Sequence, residues 1–460
     1  MSRCCIKYTP STPLSGLIYE YCSNNPKSPS AGMRSLIKVG LKTGVIPVGE
    51  GHRLLTISTV NAVLENFKTL RFYDFDFIDK HQSKLLAEPA VPWESVEFLY
   101  RLAGLGHFNS EIVLSTCANI LNADGMQVMS NDDKLKLLSS LVRLRIQVSK
   151  LAEAISSSCS NLSTEQNAKL CRLLAELGLL QPSIHEISNT PTGLMSSIDV
   201  ACAICLYYTN GIRTDDLDKT LVESVSLVCH YIVQQEDVQK YLVRHPVMVR
   251  DIHTLGLVLQ YVHRDLYAKL SENVLEVMAQ VAYVGSAGFG EKCKPSNTKP
   301  VAQLGDILFK LKHAYTKSVN IGPYIADILE RDSKVMWQWN GPTRYYSTSK
   351  RELTAYYQLQ RMVLNGMGYT VIDIPYWHWN RMRNRKVRSE YCRSSRHISL
   401  TDGREKLIQP LMSCRDPTLF RINESPLLSA YTGSIIFKKE QPKKSWSWHS
   451  PIERATRVSL

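Results

Sequence analysis

Five cations stand within eight residues in the last third of the chain: Arg381, Arg383, Arg385, Lys386 and Arg388. Tyr376, Trp377, His378 and Trp379 directly precede them. Cations at this density match the phosphates of a nucleic-acid backbone and gain affinity by releasing its counterions. Aromatic faces beside guanidinium groups stack unpaired bases, at roughly 1–3 kcal/mol per base. Written as one continuous helix, Arg381, Arg385 and Arg388 share a face, with Arg383 and Lys386 on adjacent ones. Arg344, Lys350 and Arg351 are further candidate phosphate contacts from the opposite end of the same unit. Two structural assignments compete: at least one of Trp377 and Trp379 closes a small core, and the basic run is a solvated face. Trp337 and Trp339 share one strand face and read as core.

Charge separates this region from the rest. The 460 residues carry 55 Lys+Arg and 42 Asp+Glu, a formal net charge of +13. Residues 331–460 hold 23 of those bases and 10 of those acids, so 55 less 23 and 42 less 10 leave 32 of each sign before them. A neutral body with a basic end excludes a uniformly basic, histone-like protein and suggests a polyanion-binding terminus. Hydrophobic residues are 44% and charged residues 21%, ordinary for a globular chain. The longest apolar stretches, 198–208 and 274–284, are too short to span a bilayer.

Other chemistry is thinly represented. Twelve cysteines are scattered, and the spaced pair Cys202 and Cys205 has no second pair beside it, so it reads as two buried thiols on a helix face. His245, His253 and His263 are dispersed over a helical region. No phosphate-cradling glycine loop occurs, and the glycine-rich 285–290 reads as a linker. No cofactor, metal site or catalytic residue is expected.

The elements that would position the basic run follow from spacing. Residues 1–49 hold six Lys/Arg and one acid, Glu20, and read as a basic leader, either an organellar transit peptide or a plain disordered extension. Residues 50–330 read as a helical body. Ser130, Ser163 and Ser196 each precede a helical apolar pattern, 33 residues apart, which suggests an irregular helical-repeat array, with a plain helical domain as the alternative because internal similarity is weak. Thr214 opens a further helix, and helices are expected over 251–262, 266–284, 304–314 and 324–331. The texture changes at Lys334. A strand is expected to end at Asn340-Gly341-Pro342, a helix to cover 351–365, and a strand over 369–374 to stop at Pro375. Residues 394–460 form a basic tail with Trp446 and Trp448 that is not expected to fold alone.

Residues 334–393 resemble the RAP domain, a module named for RNA binding and its abundance in apicomplexans. The matching features are Asn340-Gly341-Pro342 after a strand, Leu359-x-x-Met362 on a helix, and the run from Leu364 through Met367-Gly368-Tyr369-x-Val371-Ile372-x-Ile374-Pro375 to Tyr376-Trp377-x-Trp379-Asn380. The resemblance implies a small C-terminal α/β domain, similar to restriction-endonuclease-like folds, behind a mainly α body. RAP domains end helical-repeat proteins of the FAST-kinase and octotricopeptide types, which act on organellar RNA. The function so implied is RNA binding in mitochondrial gene expression, with rRNA as the ligand and a ribosomal or assembly role. A plastid is the alternative location, and a transcript-stability or processing factor the alternative role. The implied partners are organellar rRNA and ribosomal or other ribonucleoprotein proteins, with no membrane. A metal-dependent ribonuclease is the enzymatic alternative, but its carboxylates and lysine are poorly represented: Asn340 stands where the family often has an acid, Pro375 where a lysine is needed, and Asp373 and a helical Glu352 remain.

Overall fold

The computed structural model describes residues 91–107, 109–122, 125–159, 162–179, 193–289, 299–349 and 351–401, with Ile57, Asn61 and Leu64. The basic leader, Lys350 and the tail after residue 401 lie outside the described residues. The chain divides into two compact units. The first holds α1 (Pro92–Leu105), α2 (Ser110–Asn122), α3 (Gly125–Val128), α4 (Asn131–Leu144) and α5 (Ser149–Ser158). Ser130 caps α4 as expected, its hydroxyl accepting the Asp133 N–H at 3.2 Å. Leu135, Leu138 and Leu141, one helical stripe of α4, are buried, as are Phe98, Leu99 and Leu102 of α1, which packs against it.

The second unit begins with α6 (Thr164–Glu176), α7 (Leu194–Thr209), α8 (Asp215–Val233), α9 (Val238–Arg244), α10 (Pro246–Leu257), a π-helical turn (Val258–Val262), α11 (Arg264–Tyr267) and α12 (Glu272–Phe289). Ser163 and Gln166 make a reciprocal capping box on α6, and Thr214 caps α8. Ser196 does not cap: α7 starts at Leu194 after Gly193, and the Ser196 hydroxyl donates to the Gly193 carbonyl inside the first turn. The caps therefore fall at 130, 163 and 193, and the 33-residue period does not continue. Helix α12 runs through Gly285 to Phe289, so the expected linker there is helical at its start. Helix α7 is buried almost all round and packs against α6, α8 and α10, which makes it the axis of the unit. Cys202 and Cys205 lie on it, and burial pushes the Cys202 thiol up to about 12. Arg172 ties three helices together, ion-paired to Glu176 at 3.0 Å, Asp199 at 2.8 Å and Asp251 at 2.7 Å.

The unit continues with α13 (Lys299–Lys310), β1 (Tyr315–Ile321), β2 (Tyr324–Glu330), β3 (Val335–Asn340), a 3-10 turn (Pro342–Arg344), α14 (Ala355–Gly366), β4 (Thr370–Pro375), α15 (Tyr376–Arg381) and α16 (Arg385–Thr401). The strands form one sheet in the order β1-β2-β3-β4, antiparallel across the first two pairs and parallel between β3 and β4. Helix α14 makes the crossover that a parallel pair requires. The expected helix over 324–331 is strand β2. Its 3–4 spacing of Ile325, Ile328 and Leu329 imitates a helical stripe, because a strand buried on both faces loses its alternation.

The sheet is covered on both sides. On one face Leu304 and Leu308 of α13, Trp379 and Met382 beside α15, and Tyr391 and Cys392 of α16 enclose Trp337, Ile372 and Ile374. On the other, Leu359, Val363 and Leu364 of α14 join Met336, Val371 and the apolar residues of α7, α8, α10 and α12 in one continuous core. The sheet and the preceding helices of this unit therefore share a core. Each fully buried side chain of this kind contributes about 1.5–3 kcal/mol, against a typical net stability of about 5–15 kcal/mol. Truncation after Ser333 removes several of them at once. We expect the truncated chain to lose the cooperative thermal transition of residues 162–289, measured by calorimetry. Retention of a native-like transition in the truncated chain would contradict the shared core.

Candidate nucleic-acid interface

The parallel strands β3 and β4 end together, since Asn340 is in register with Pro375. Helix α15 follows β4 at once, and the 341–354 connection follows β3. Crevices at the carboxyl ends of parallel strands are where open α/β sheets place ligands. The residues expected to contact RNA are distributed around this end and along α16.

A polar seam holds the connection in place. Strands β2 and β3 pair only at Ile328–Trp337 and Leu329–Met336, then diverge. Side chains fill the gap. The Asp327 carboxylate accepts the Trp339 N–H at 2.9 Å, and the Gln338 amide donates to the Ile325 carbonyl at 3.2 Å. Arg344 closes the seam. It donates to Gln338 at 2.8 Å and Asn340 at 2.9 Å, ion-pairs with Asp327 at 3.5 Å, and lies 5.0 Å over the Tyr357 ring. Asp373 accepts from Asn340 at 2.9 Å and ion-pairs with Arg361 at 3.2 Å. Tyr346 then fixes the loop to α6 and α14, donating to the Glu176 carbonyl at 2.7 Å and accepting the Ala355 N–H at 3.0 Å. The hydroxyl thus serves the first N–H of α14, where Thr354 supplies no side-chain cap.

This seam changes the reading of several candidates. Arg344 is turned inward on two amides and a carboxylate rather than presented to a phosphate. Asp327, which sequence reasoning missed by assigning β2 as a helix, is the second carboxylate at this end. Both Asp327 and Asp373 face a guanidinium. Glu352 lies exposed in the loop before α14, not on the helix. Among the described residues, no three His, Cys, Asp or Glu converge as metal ligands.

The two tryptophans part company. Trp379 is 1% exposed and belongs to the core, its indole N–H donating to Gln303 at 3.3 Å. Trp377 is half-buried in an aromatic cluster, 4.6 Å from the Tyr345 ring and 5.0 Å from that of Tyr376. Trp337 is buried, with its N–H on Glu330 at 2.9 Å, and Trp339 is half-buried on the same strand.

The basic run is not one helix. Helix α15 stops at Arg381, Met382 takes a non-helical conformation and enters the core, and α16 starts at Arg385. The single face expected for Arg381, Arg385 and Arg388 is therefore broken by an apolar anchor. Arg388 is half-buried, donating to Gln303 at 2.7 Å and the Trp379 carbonyl at 3.3 Å, with its guanidinium 4.9 Å over the Trp379 ring. Burial holds its pKa below the ordinary arginine value. Arg383, Arg385 and Lys386 are exposed, with no described carboxylate paired to their charged ends. Arg351 is exposed and Arg381 half-buried, and both act on His378. One exposed cation farther along α16 went unnoticed in the sequence: Arg393, paired to Glu390 at 2.8 Å on the solvent side. Arg396, by contrast, neutralises the buried Glu330.

Residues 337–395 match the family model of the RAP domain. This segment is a RAP domain. The match starts within β3, so α13, β1 and β2 lie ahead of the matched segment, although the two strands complete its sheet. A RAP domain points to RNA binding. No curated protein matches the chain. Among the described residues no helix is long and apolar enough to cross a membrane.

His378 gives the RAP domain a pH signature. Burial first, then the charges of Arg381 and Arg351, push its pKa down to about 4 from an ordinary 6.5. A histidine held neutral in the fold adds stability that is complete above pH ~6.5 and is lost as pH falls toward ~4. The linked cost between about pH 7 and pH 5 is about 2 kcal/mol. We expect the stability advantage of wild type over His378→Asn, from urea unfolding, to shrink by that amount over this interval. An advantage that stays constant would show that the imidazole titrates normally.

Proposed function

We propose that this protein binds RNA through the solvent side of α15 and α16, as an rRNA-binding component or assembly factor of an organellar ribosome, in the mitochondrion. The carrying observation is the placement of Arg383, Arg385 and Lys386. They gather at the amino end of a 17-residue helix, where the helix dipole disfavours cations by roughly 0.3–1 kcal/mol each at the surface. Folding gains nothing from three bare cations there, whereas a phosphate backbone satisfies both the side chains and the helix end. Trp377, half-buried on α15 with Tyr345 packed beneath it, offers the aromatic surface for an unpaired base.

One feature supports binding over catalysis. The carboxylates at the carboxyl end of the sheet are engaged by Arg344 and Arg361, which leaves no acid pair among the described residues there open to a divalent ion. The organellar and ribosomal part of the reading rests on the acid-poor leader 1–49, the helical body and the basic tail. Crosslinking in cells followed by sequencing of bound RNA tests it: organellar rRNA supports the assignment, and organellar messenger RNA alone would replace it with a transcript factor.

The basic face makes a second, quantitative prediction. Arg385→Ala with Lys386→Ala should weaken binding evenly across RNA sequences, and should reduce the slope of log affinity against log salt by about 0.7 for each phosphate that is no longer neutralised. Arg388→Ala should behave differently, lowering thermal stability because it strips Gln303 and Trp379 of their partner. Equal salt slopes for wild type and the double variant would remove α16 from the interface.

A further inference from the structure

A second basic and aromatic surface lies at the far end of the same sheet, ahead of the matched RAP segment. Phe309, near the end of α13, is 75% exposed. Lys310, Lys312, Lys317 and Arg331 around it are exposed, against the exposed acids Asp306 and Asp332. They are gathered by the fold. A Cβ on Gly305, one turn before Phe309, would stand 2.7 Å from the Tyr315 hydroxyl and 2.8 Å from Lys317 Cε, so these side chains of β1 cross the helix there. Lys317 Nζ lies 5.8 Å over the Tyr315 ring. Arg331 donates its backbone N–H to the Ala314 carbonyl at 2.9 Å and its Nε–H to Thr316 at 3.2 Å, which sets it beside β1.

Ordinary structural reasons cover part of this group. A lysine on an edge strand such as β1 discourages pairing with another chain, and Lys310 complements the carboxyl end of α13. They do not cover Phe309 or Lys312. Lys312 ends α13 with φ +63°, and the His313 and Lys312 N–H groups return to the Leu308 and Phe309 carbonyls at 3.0 Å each. That is a Schellman ending, whose left-handed position favours glycine. Ser318, next to Lys317, also has positive φ, at +53°. The chain thus holds a lysine where glycine would be less strained, a pattern that accumulates at functional positions.

Helix α16 connects the two ends of the sheet. Arg388 meets Gln303 near the start of α13, and Arg396 meets Glu330 at the end of β2, opposite Tyr315. From Arg385 to Arg396 the helix rises about 16 Å. Lys386, Arg393 and His397 lie exposed along that course.

We infer that single-stranded RNA follows the outer side of α16 from Arg385 to the Phe309–Lys312–Lys317 surface, so that the footprint extends outside the matched RAP segment. The inference rests on the RNA-binding reading above. The test compares full-length protein on a short and a long uridine oligomer, of about 6 and about 30 nucleotides. Lys312→Gly should raise the melting temperature yet weaken the long oligomer about 2–5-fold, the effect of leaving one phosphate without its cation. Lys310→Ala, Lys317→Ala and Arg331→Ala together should reduce the salt slope on the long oligomer by about 2, and much less on the short one. Unchanged affinity and slope on the long oligomer, with wild type binding it, would overturn the extended path and leave the α16 interface standing. Failure of wild type to bind either oligomer would remove both.

Discussion

Strand β3 is packed on both faces, and the disposition of every candidate RNA contact follows from that. Trp337 faces α13 and α16, while Met336 faces α14 and the helical core behind it. A strand so enclosed has no surface on which to display chemistry. Polar side chains are confined to the sheet ends, and exposed charge to the outer helices. Asn340 and Gln338, the polar residues of β3, are buried, and Arg344 satisfies both. The cost of burying an unpartnered amide, about 1–3 kcal/mol, gives that arginine a structural task before any ligand arrives.

The same constraint sorts the arginines by depth. Arg344, Arg361, Arg388 and Arg396 each meet a described carboxylate, amide or carbonyl of the unit. Arg383, Arg385 and Lys386 meet none among the described residues. Composition cannot make this distinction, because each arginine adds the same charge to the net +13. The depth of each is set by what opposes it: Met382 pulls the chain into the core between Arg381 and Arg383, and Gln303 draws Arg388 onto Trp379.

Much of this was legible before the fold was known. Asn340-Gly341-Pro342 ended a strand, and the apolar spacing of Leu359, Val363 and their neighbours marked α14. Strand β4 and the stop at Pro375 followed from β-branched residues and a proline. Ser130, Ser163 and Thr214 capped as their hydroxyls and spacing implied. The failures share one physical origin, which is tertiary pairing that local pattern does not encode. Strand β2 looked helical because it is buried on both faces. Strand β1 gave no apolar alternation, since it is an edge with Thr316 and Lys317 in solvent. With both strands missed, Asp327 and the Phe309 surface could not be placed. The break at Met382 was hidden for a related reason: a lone methionine among five cations gives no local sign that a core lies beneath it.

The central claim is that RNA lies on the outer side of the RAP domain, and photocrosslinking of the full-length protein to RNA, with mass spectrometric mapping of the modified residues, tests it most directly. The account predicts adducts on Trp377 and the 383–397 segment. Adducts confined to the helices of residues 162–289, with none in residues 337–395, would contradict it.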